Sequence, residues 1–199
     1  MKKSLLVLLL ITTVSMGQGL LVFSGLSIPL GDYGDIFSPG MQYGASYTMK
    51  MPGIEPPVGT ELKTEYLIGY TNYEGETNAI ITKSDYTIIP IVANGILDMN
   101  PSAKDFGGLA PSLVLGIGYY LIQNDGTMEL TDDTGTWVID YDERTANVGI
   151  NLGGGADYYL NKNFYLRGVF KYHYTLPISD GDTDSMSLFD IRIGAGFNL

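Results

Sequence analysis

The sequence predicts an all-β protein: a closed, antiparallel, up-and-down transmembrane β-barrel of eight strands. The strongest evidence is residues 146–175, where apolar and polar residues alternate with a period of two over a length that soluble strands rarely reach. One side of this stretch is apolar with aromatic residues towards its ends, and the other carries glycine, asparagine and charged residues. A membrane barrel needs that distribution, because its outer face meets lipid and its inner face meets a polar lumen. A hairpin of a soluble β-sandwich is the alternative for this stretch alone.

The composition of the chain agrees with a small barrel. Its 26 glycines and 15 tyrosines suit a crowded interior and an amphipathic rim. Only 17% of its residues are charged, below the roughly 25% of soluble domains. There is no cysteine, so stability must come from the sheet rather than from disulfides. The formal net charge of -11 argues against nucleic acid as a partner, because phosphate binding requires lysine and arginine.

The chain begins with the features of a secretory signal peptide. Lys2 and Lys3 precede a nearly continuous apolar run over residues 4–14, and Ser15 and Gly17 supply the small residues that a signal peptidase reads. The run is shorter than the ~18 residues that indicate a transmembrane helix, and no later stretch reaches that length. We therefore predict a signal peptide at 1–17, with cleavage after Gly19 as the second candidate, and a single barrel domain at 18–199.

The first four strands are predicted at about 20–28, 41–51, 62–71 and 84–98, separated by proline, glycine and polar residues. Residues 72–82 are predicted to form a polar loop. The fourth strand has the weakest pattern, because 88–92 is apolar on both faces and Pro90 cannot donate a ladder hydrogen bond. We expect a bulge or a local break at Pro90.

The last four strands are predicted at about 111–122, 146–160, 164–175 and 189–199. The long connection 124–144 contains apolar residues around a turn at 133–135, which predicts a further hairpin that extends the sheet beyond the membrane. An even strand number lets the first strand pair with the last and places both chain ends on the same side. If the ends are periplasmic, the loops near 29–40, 72–82, 123–145 and 176–186 face outside, and the connections at 52–61 and 99–110 are longer than usual periplasmic turns.

The inward positions of these strands carry several charged side chains. An eight-stranded barrel is only wide enough for side chains to fill it, so we expect these groups to pair across the lumen and plug it. This favours a structural core over a conducting pore. The predicted lumenal polar network consists of Glu65, Asp157, Arg167, Lys171, His173, Asp190 and Arg192.

No catalytic residue, metal site or cofactor is predicted. His173 is the only histidine, and Ser187 and Asp190 follow on the next strand, but their spacing puts those two on opposite faces, so no triad is specified. The carboxylates of 180–184 do not form a calcium loop of the EF-hand type, because Ile191 stands where the loop needs glutamate. Solvation of exposed loops accounts for these acids, and weak divalent bridging to anionic lipid head groups is the alternative.

The chain resembles the small eight-stranded outer-membrane β-barrel proteins of bacteria with two membranes. The resemblance rests on the signal peptide, the alternating strands, the stretch 25–34 and a C-terminal segment that looks like the family's assembly signal. It implies an outer-membrane location, with membrane lipid and the barrel-insertion machinery as partners. The family usually ends on an aromatic residue, which this chain does not. The assembly-signal residues are Arg192, Gly194, Phe197 and Leu199.

Two classes of function follow from these predictions. The first is an integral outer-membrane protein whose loops contact a surface partner or stabilise the envelope. The second is an exported soluble barrel that holds a small apolar ligand. A lipid-modifying enzyme of barrel form is less favoured, because the sequence specifies no triad. Extraction of membranes with carbonate separates the first two classes.

Overall fold

Eight antiparallel strands form a closed barrel in the computed structural model, which describes residues 19–51, 53–75, 81–132, 135–178 and 185–199. The predicted signal peptide at 1–17 lies outside these residues. No helix among them is both long and apolar enough to cross a membrane. Two short helices join strands: α1 (Asp32–Ile36) and α2 (Ala103–Phe106). The strands are β1 (Gly19–Leu30), β2 (Gly40–Lys50), β3 (Glu61–Glu74), β4 (Ile81–Asp98), β5 (Gly108–Asp132), β6 (Gly135–Tyr159), β7 (Phe164–Pro177) and β8 (Met186–Asn198).

The barrel closes because β1 pairs with both β2 and β8. Following the paired residues from Gly19 around all eight strands leads back to β1 at Pro29, ten residues further along. A stagger of this kind requires the strands to tilt against the barrel axis, by roughly 35–45°. The closed ladder leaves no sheet edge in the region that would face lipid, where unpaired backbone groups are costly.

The predicted alternation is confirmed on both sides of the sheet. Side chains on the outer face are apolar and exposed, while the alternate positions of the same strands are buried in the lumen. Because the period of a strand is two, the alternation separates these faces without knowledge of the partner strands. The outer belt includes Val22, Leu26, Tyr43, Ile68, Ile91, Leu115, Ile117, Ile150, Leu152, Phe170, Ile191 and Ile193.

Glycines inside the barrel make room for aromatic rings from the lumenal face. The ring of Tyr165 lies over its paired neighbour Gly196, and the ring of Phe23 lies over Gly44 in the same way. A Cβ atom at either glycine would overlap the ring, so these positions accept no larger residue without moving it. Glycine at these two positions therefore has a direct packing explanation.

The predicted bulge or break at Pro90 is wrong, because β4 is continuous and its register against β3 is the same on both sides of the proline. Ile91 pairs with Ile68 and Ile88 pairs with Thr71, and only the two intervening pairs are missing from the ladder. Proline has no N–H to donate, which accounts for the gap. The register shift of β4 lies instead at Ile81/Lys83, against β5.

The predicted loop at 72–82 is too long, since β3 continues to Glu74 and β4 begins at Ile81. The predicted hairpin within 124–144 is present, but it is a direct continuation of β5 and β6. These two strands stay paired from Gly108↔Tyr159 to Asp132↔Gly135. We call residues 123–132 and 135–145 the projecting hairpin, because the pairing of β6 with β7 starts only at Asn147, although β5 stays paired with β4 as far as Met128.

Candidate functional site: the filled lumen and the projecting hairpin

Arg167 is the centre of the buried side chains in the half of the lumen nearer to Gly19 and Leu199. Its guanidinium forms a two-point contact with Asp157, with Nε 2.6 Å from Oδ1 and Nη2 2.7 Å from Oδ2. A third nitrogen, Nη1, lies 3.0 Å from Oε1 of Glu65, whose second oxygen is 3.6 Å from Nζ of Lys171. All four side chains are buried. The fork of an arginine matches such planar acceptors, and the arrangement joins β3, β6 and β7 across the lumen.

Two polar side chains complete the surroundings of Glu65. Ser46 donates from Oγ to Oε1 at 2.8 Å, and Asn94 donates from Nδ2 to Oε2 at 2.7 Å. A buried carboxylate is tolerated when its oxygens are paired and hydrogen-bonded in this way. Glu65 thus connects residues from β2, β4 and β7, which are distant in sequence.

Asp190 is the centre of a second group of buried side chains. Ser27 donates to Oδ1 at 2.5 Å, while Nε2 of His173 and Nη2 of Arg192 lie 3.1 and 3.3 Å from Oδ2. On the other side of the imidazole ring, Nδ1 of His173 is 2.7 Å from the hydroxyl of Tyr120. This chain of contacts joins β1, β5, β7 and β8.

The charges of the two groups balance. Three cations (Arg167, Lys171 and Arg192) each have a carboxylate within 4 Å, and the network has three carboxylates. The structure places all seven in the lumen and buries all of them. The sequence analysis did not include four neutral members of these groups: Ser27, Ser46, Asn94 and Tyr120. Their inward position on each strand is the signal that could have identified them. Charged residues at inward positions are unusual, whereas neutral residues there are common and do not single out a network.

The end of the barrel away from the chain termini is closed by an apolar cluster. The rings of Phe37, just after α1, and Tyr86 have centroids 4.7 Å apart. Tyr73 lies beside Tyr86 and donates a hydrogen bond of 2.7 Å to Ser27, which links this cluster to the Asp190 group. Further members of the cluster are Ile88, Ile122, Met186 and Leu188.

The mouth at the end of the termini is polar. Glu61 accepts contacts from Lys50 at 2.7 Å and Lys63 at 3.4 Å, and Lys63 also lies 2.6 Å from Asp98. A cavity of about 360 Å³ opens here and ends at Arg167. The lumen is therefore open only as far as Arg167, and the buried side chains described above fill it beyond that point.

The side chains that could form a hydrolytic triad are on opposite faces of the sheet. Ser187 lies on the outer surface, where its hydroxyl is 2.8 Å from that of Tyr172, while His173 and Asp190 meet in the lumen. The part of the chain that the structure describes contains no group of three or more potential metal ligands. The acidic stretch 180–184 lies outside that part.

The residues of the predicted assembly signal take two different positions on β8. Arg192 faces the lumen, as does Gly194, which leaves space for Phe23 from β1. Phe197 is on the outer face, and its ring is edge-on to that of Phe164 with centroids 4.9 Å apart. Leu199 is exposed at the end of the strand.

The projecting hairpin is strongly acidic. Residues 123–145 contain seven acidic residues and one basic residue, Arg144, which pairs with Asp142 at 3.1 Å. Thr127 donates to Asp140 at 2.9 Å. Lys83 on the adjoining strand bonds to Asp85, and this hydrogen bond, together with the nearby carboxylates, raises the pKa of Lys83 above its ordinary value.

Several solved structures have the same architecture. A major outer membrane protein from Thermus thermophilus matches with a TM-score of 0.53 and 12% identity, covering 92% of this chain and 99% of that one. Ail, the attachment invasion locus protein of Yersinia pestis, matches with a TM-score of 0.52 and 11% identity over 92% and 98% of the two chains. Neisserial surface protein A matches with a TM-score of 0.50 and 14% identity over 92% and 97%.

These likenesses establish the fold. No protein-family model matches the sequence, and a comparison with curated proteins finds no match. The predicted closed, eight-stranded, up-and-down barrel is confirmed, and it is the fold of small outer-membrane barrels. The role of the loops rests on the chemistry of this chain alone.

Proposed function

We propose that the protein is an integral protein of the bacterial outer membrane, with a plugged lumen and a surface role carried by its projecting hairpin. The role is contact with a partner outside the cell, or stabilisation of the envelope. The observation that carries the proposal is the combination of an apolar belt on the outside of all eight strands with a charge-balanced, filled interior. A soluble barrel has no use for such a belt.

The orientation follows from the two ends of the barrel. Gly19 and Leu199, the first and last residues described, lie with α2 at one end, and the acidic projecting hairpin lies at the other. In barrels of this kind the two chain ends are periplasmic, and the extracellular loops are longer than the periplasmic turns. We therefore place the projecting hairpin outside the cell. Membrane lipid and the barrel-insertion machinery are the partners that this topology requires.

The alternative of an exported barrel that binds a small apolar ligand has little support. The cavity between Phe23, Leu67 and Lys171 measures only about 20 Å³, which is room for about one water molecule. The mouth cavity of about 360 Å³ is large enough, but charged side chains such as Glu61, Lys63 and Arg167 line it. Ligand pockets have volumes of roughly 300–1,000 Å³ and mostly apolar walls. We also propose that the protein is not an enzyme, because Ser187 is separated from His173 by the sheet itself.

The membrane location is tested by fractionation of cells that make the full chain. We expect the protein to stay with the membrane after carbonate extraction, and an epitope inserted between β5 and β6 to be labelled on intact cells. An epitope in the connection between β2 and β3 is the matched control and should be labelled only after lysis. Release by carbonate would contradict the membrane location, and the reverse labelling pattern would contradict the orientation.

The plugged lumen is tested in planar bilayers. The purified protein should show no steady openings of porin size, because buried ion pairs fill one half of the lumen and an apolar cluster closes its far end. A larger porin in the same bilayers is the positive control. Regular conductance steps at neutral pH would overturn the prediction.

A further inference from the structure

The projecting hairpin has an exposed apolar face on the side that continues the lumenal side of β5 and β6. Met128 pairs with Ile139 and Leu130 pairs with Trp137, so the four side chains lie together on one side of the hairpin. Trp137 is 62% exposed, Ile139 46% and Leu130 42%. We call these four residues the hairpin face. Exposed tryptophan and isoleucine in a cluster are typical of a contact surface.

The bilayer does not account for the hairpin face. On the outer side of β5 the apolar belt ends at Leu121, and the next outward residues are Gln123 and Asp125. The hairpin face lies beyond that boundary and on the opposite side of the sheet. Nearer the membrane, the same side of β6 carries the buried amides of Asn147 and Asn151. Neither lipid nor the lumen therefore explains apolar residues at this place.

The charges around the hairpin face restrict what can cover it. Glu143 lies on the same side as the face and Glu129 on the other, and neither forms an ion pair with another residue in the part of the chain described. Asp140 lies on the side of Glu129, where it accepts a hydrogen bond from Thr127. A second copy of the hairpin, an anionic membrane surface or a polyanion would bring like charges together, which is unfavourable. A basic partner meets complementary charge.

We propose that the hairpin face binds an amphipathic, basic segment of a polypeptide outside the cell. Its apolar side chains cover Trp137 and Ile139, and its lysine or arginine side chains pair with Glu143 on the same side and are attracted by the negative charge of the whole hairpin. This proposal rests on the surface role proposed above and adds the chemistry of the partner. Aromatic and aliphatic anchors within a rim of opposite charge give such a contact both affinity and orientation.

Trp137 is the only tryptophan of the chain and reports on its own environment. The full-length barrel in nanodiscs of zwitterionic phosphatidylcholine is titrated with a tryptophan-free amphipathic peptide of leucine and lysine, while tryptophan emission is recorded. We expect a saturable shift of the emission to shorter wavelength as Trp137 becomes covered. The same peptide with glutamate in place of lysine should produce no shift. Equal binding of both peptides would overturn the proposal.

Matched variants separate the hairpin face from its surroundings. Ile139→Ser should weaken peptide binding about tenfold, and Glu143→Gln, which removes the carboxylate on the same side, should weaken it by a similar factor. Val138→Ser is the control, because Val138 is 60% exposed but lies on the other side of the hairpin, and its binding should be unchanged. An unchanged affinity of Ile139→Ser would show that the peptide responds to the lipid and would contradict the proposal.

Two further outcomes would also contradict it. A concentration-dependent shift without peptide would identify a second copy as the occupant, and a shift caused by added anionic vesicles would identify a membrane. The labelling experiment tests the surface role separately. If the projecting hairpin is not outside the cell, the epitope between β5 and β6 will not be labelled on intact cells. Labelled epitope with no peptide binding refutes only the chemistry proposed for the partner.

Discussion

Arg167→Met is expected to lower the free energy of unfolding of the barrel by about 3–5 kcal/mol, because it leaves buried carboxylates without their cation. Arg167 has two contacts with Asp157 and one with Glu65, and all three side chains are buried. Glu65 keeps Lys171, but at a longer distance of 3.6 Å. The measurement is urea unfolding of the purified protein in detergent, together with its shift in gel mobility on boiling.

A second substitution tests whether the unpaired carboxylate is the cause. Adding Asp157→Leu to Arg167→Met should recover a large part of the lost stability, because an apolar pair of similar volume replaces the ion pair. The surface pair of Lys83 and Asp85 is the matched control, and Lys83→Met should leave unfolding unchanged. If Lys83→Met and Arg167→Met had the same effect, the lumenal network would not be a stabilising core.

Replacement of Arg167 and Arg192 together by alanine extends this argument to conduction. Both arginines fill the lumen as well as carry charge, so their loss removes packing and pairing at once. We expect the double variant to unfold at lower urea before it shows conductance in planar bilayers. Steady openings in a double variant of unchanged stability would mean that the two side chains act as a gate rather than as a core.

Alternation alone separates the inside of this barrel from its outside, because each strand has one exposed apolar face and one buried face. It does not predict which inward residues meet. Arg167 and Glu65 are 102 residues apart on strands that are not neighbours, and their contact depends on the tilt and stagger of the closed barrel. The sequence therefore predicts the members of the lumenal network from their faces, but not its division around Arg167 and Asp190.

The predicted and observed ends of β3 and the predicted break in β4 differ because local sequence patterns do not include the support of neighbouring strands. Tyr73 and Glu74 look like loop residues beside a run of polar residues, yet they continue β3 beyond the apolar belt, where pairing does not depend on apolar residues facing lipid. Pro90 looks like a break, but β4 has a second neighbour, and the pairing of Pro90 with Tyr120 maintains its position. Local rules underestimate strands that a closed sheet supports from both sides.

Phe197→Ala is expected to reduce the amount of protein in the membrane strongly, while the purified variant still folds in detergent. Phe197 lies on the outer face near the end of β8, the strand that closes the barrel on β1, in the segment that resembles an assembly signal. Burial of such a ring is worth on the order of 1.5–3 kcal/mol, a loss that a finished barrel tolerates. The insertion machinery is expected to recognise this strand by its C-terminal residues, so the loss of Phe197 should impair insertion. Membrane and periplasmic levels are compared by immunoblot.

Phe164→Ala separates the assembly signal from simple packing, because it removes the same ring contact from the β7 side and leaves the C-terminal segment intact. We expect Phe164→Ala to lose a similar amount of stability in detergent but to reach the membrane at nearly normal levels. Asn198→Ala, which loses one exposed hydrogen bond to the carbonyl of Lys162, should also insert normally. Equal membrane levels for Phe197→Ala and Phe164→Ala would assign the effect of Phe197 to packing and remove the assembly signal.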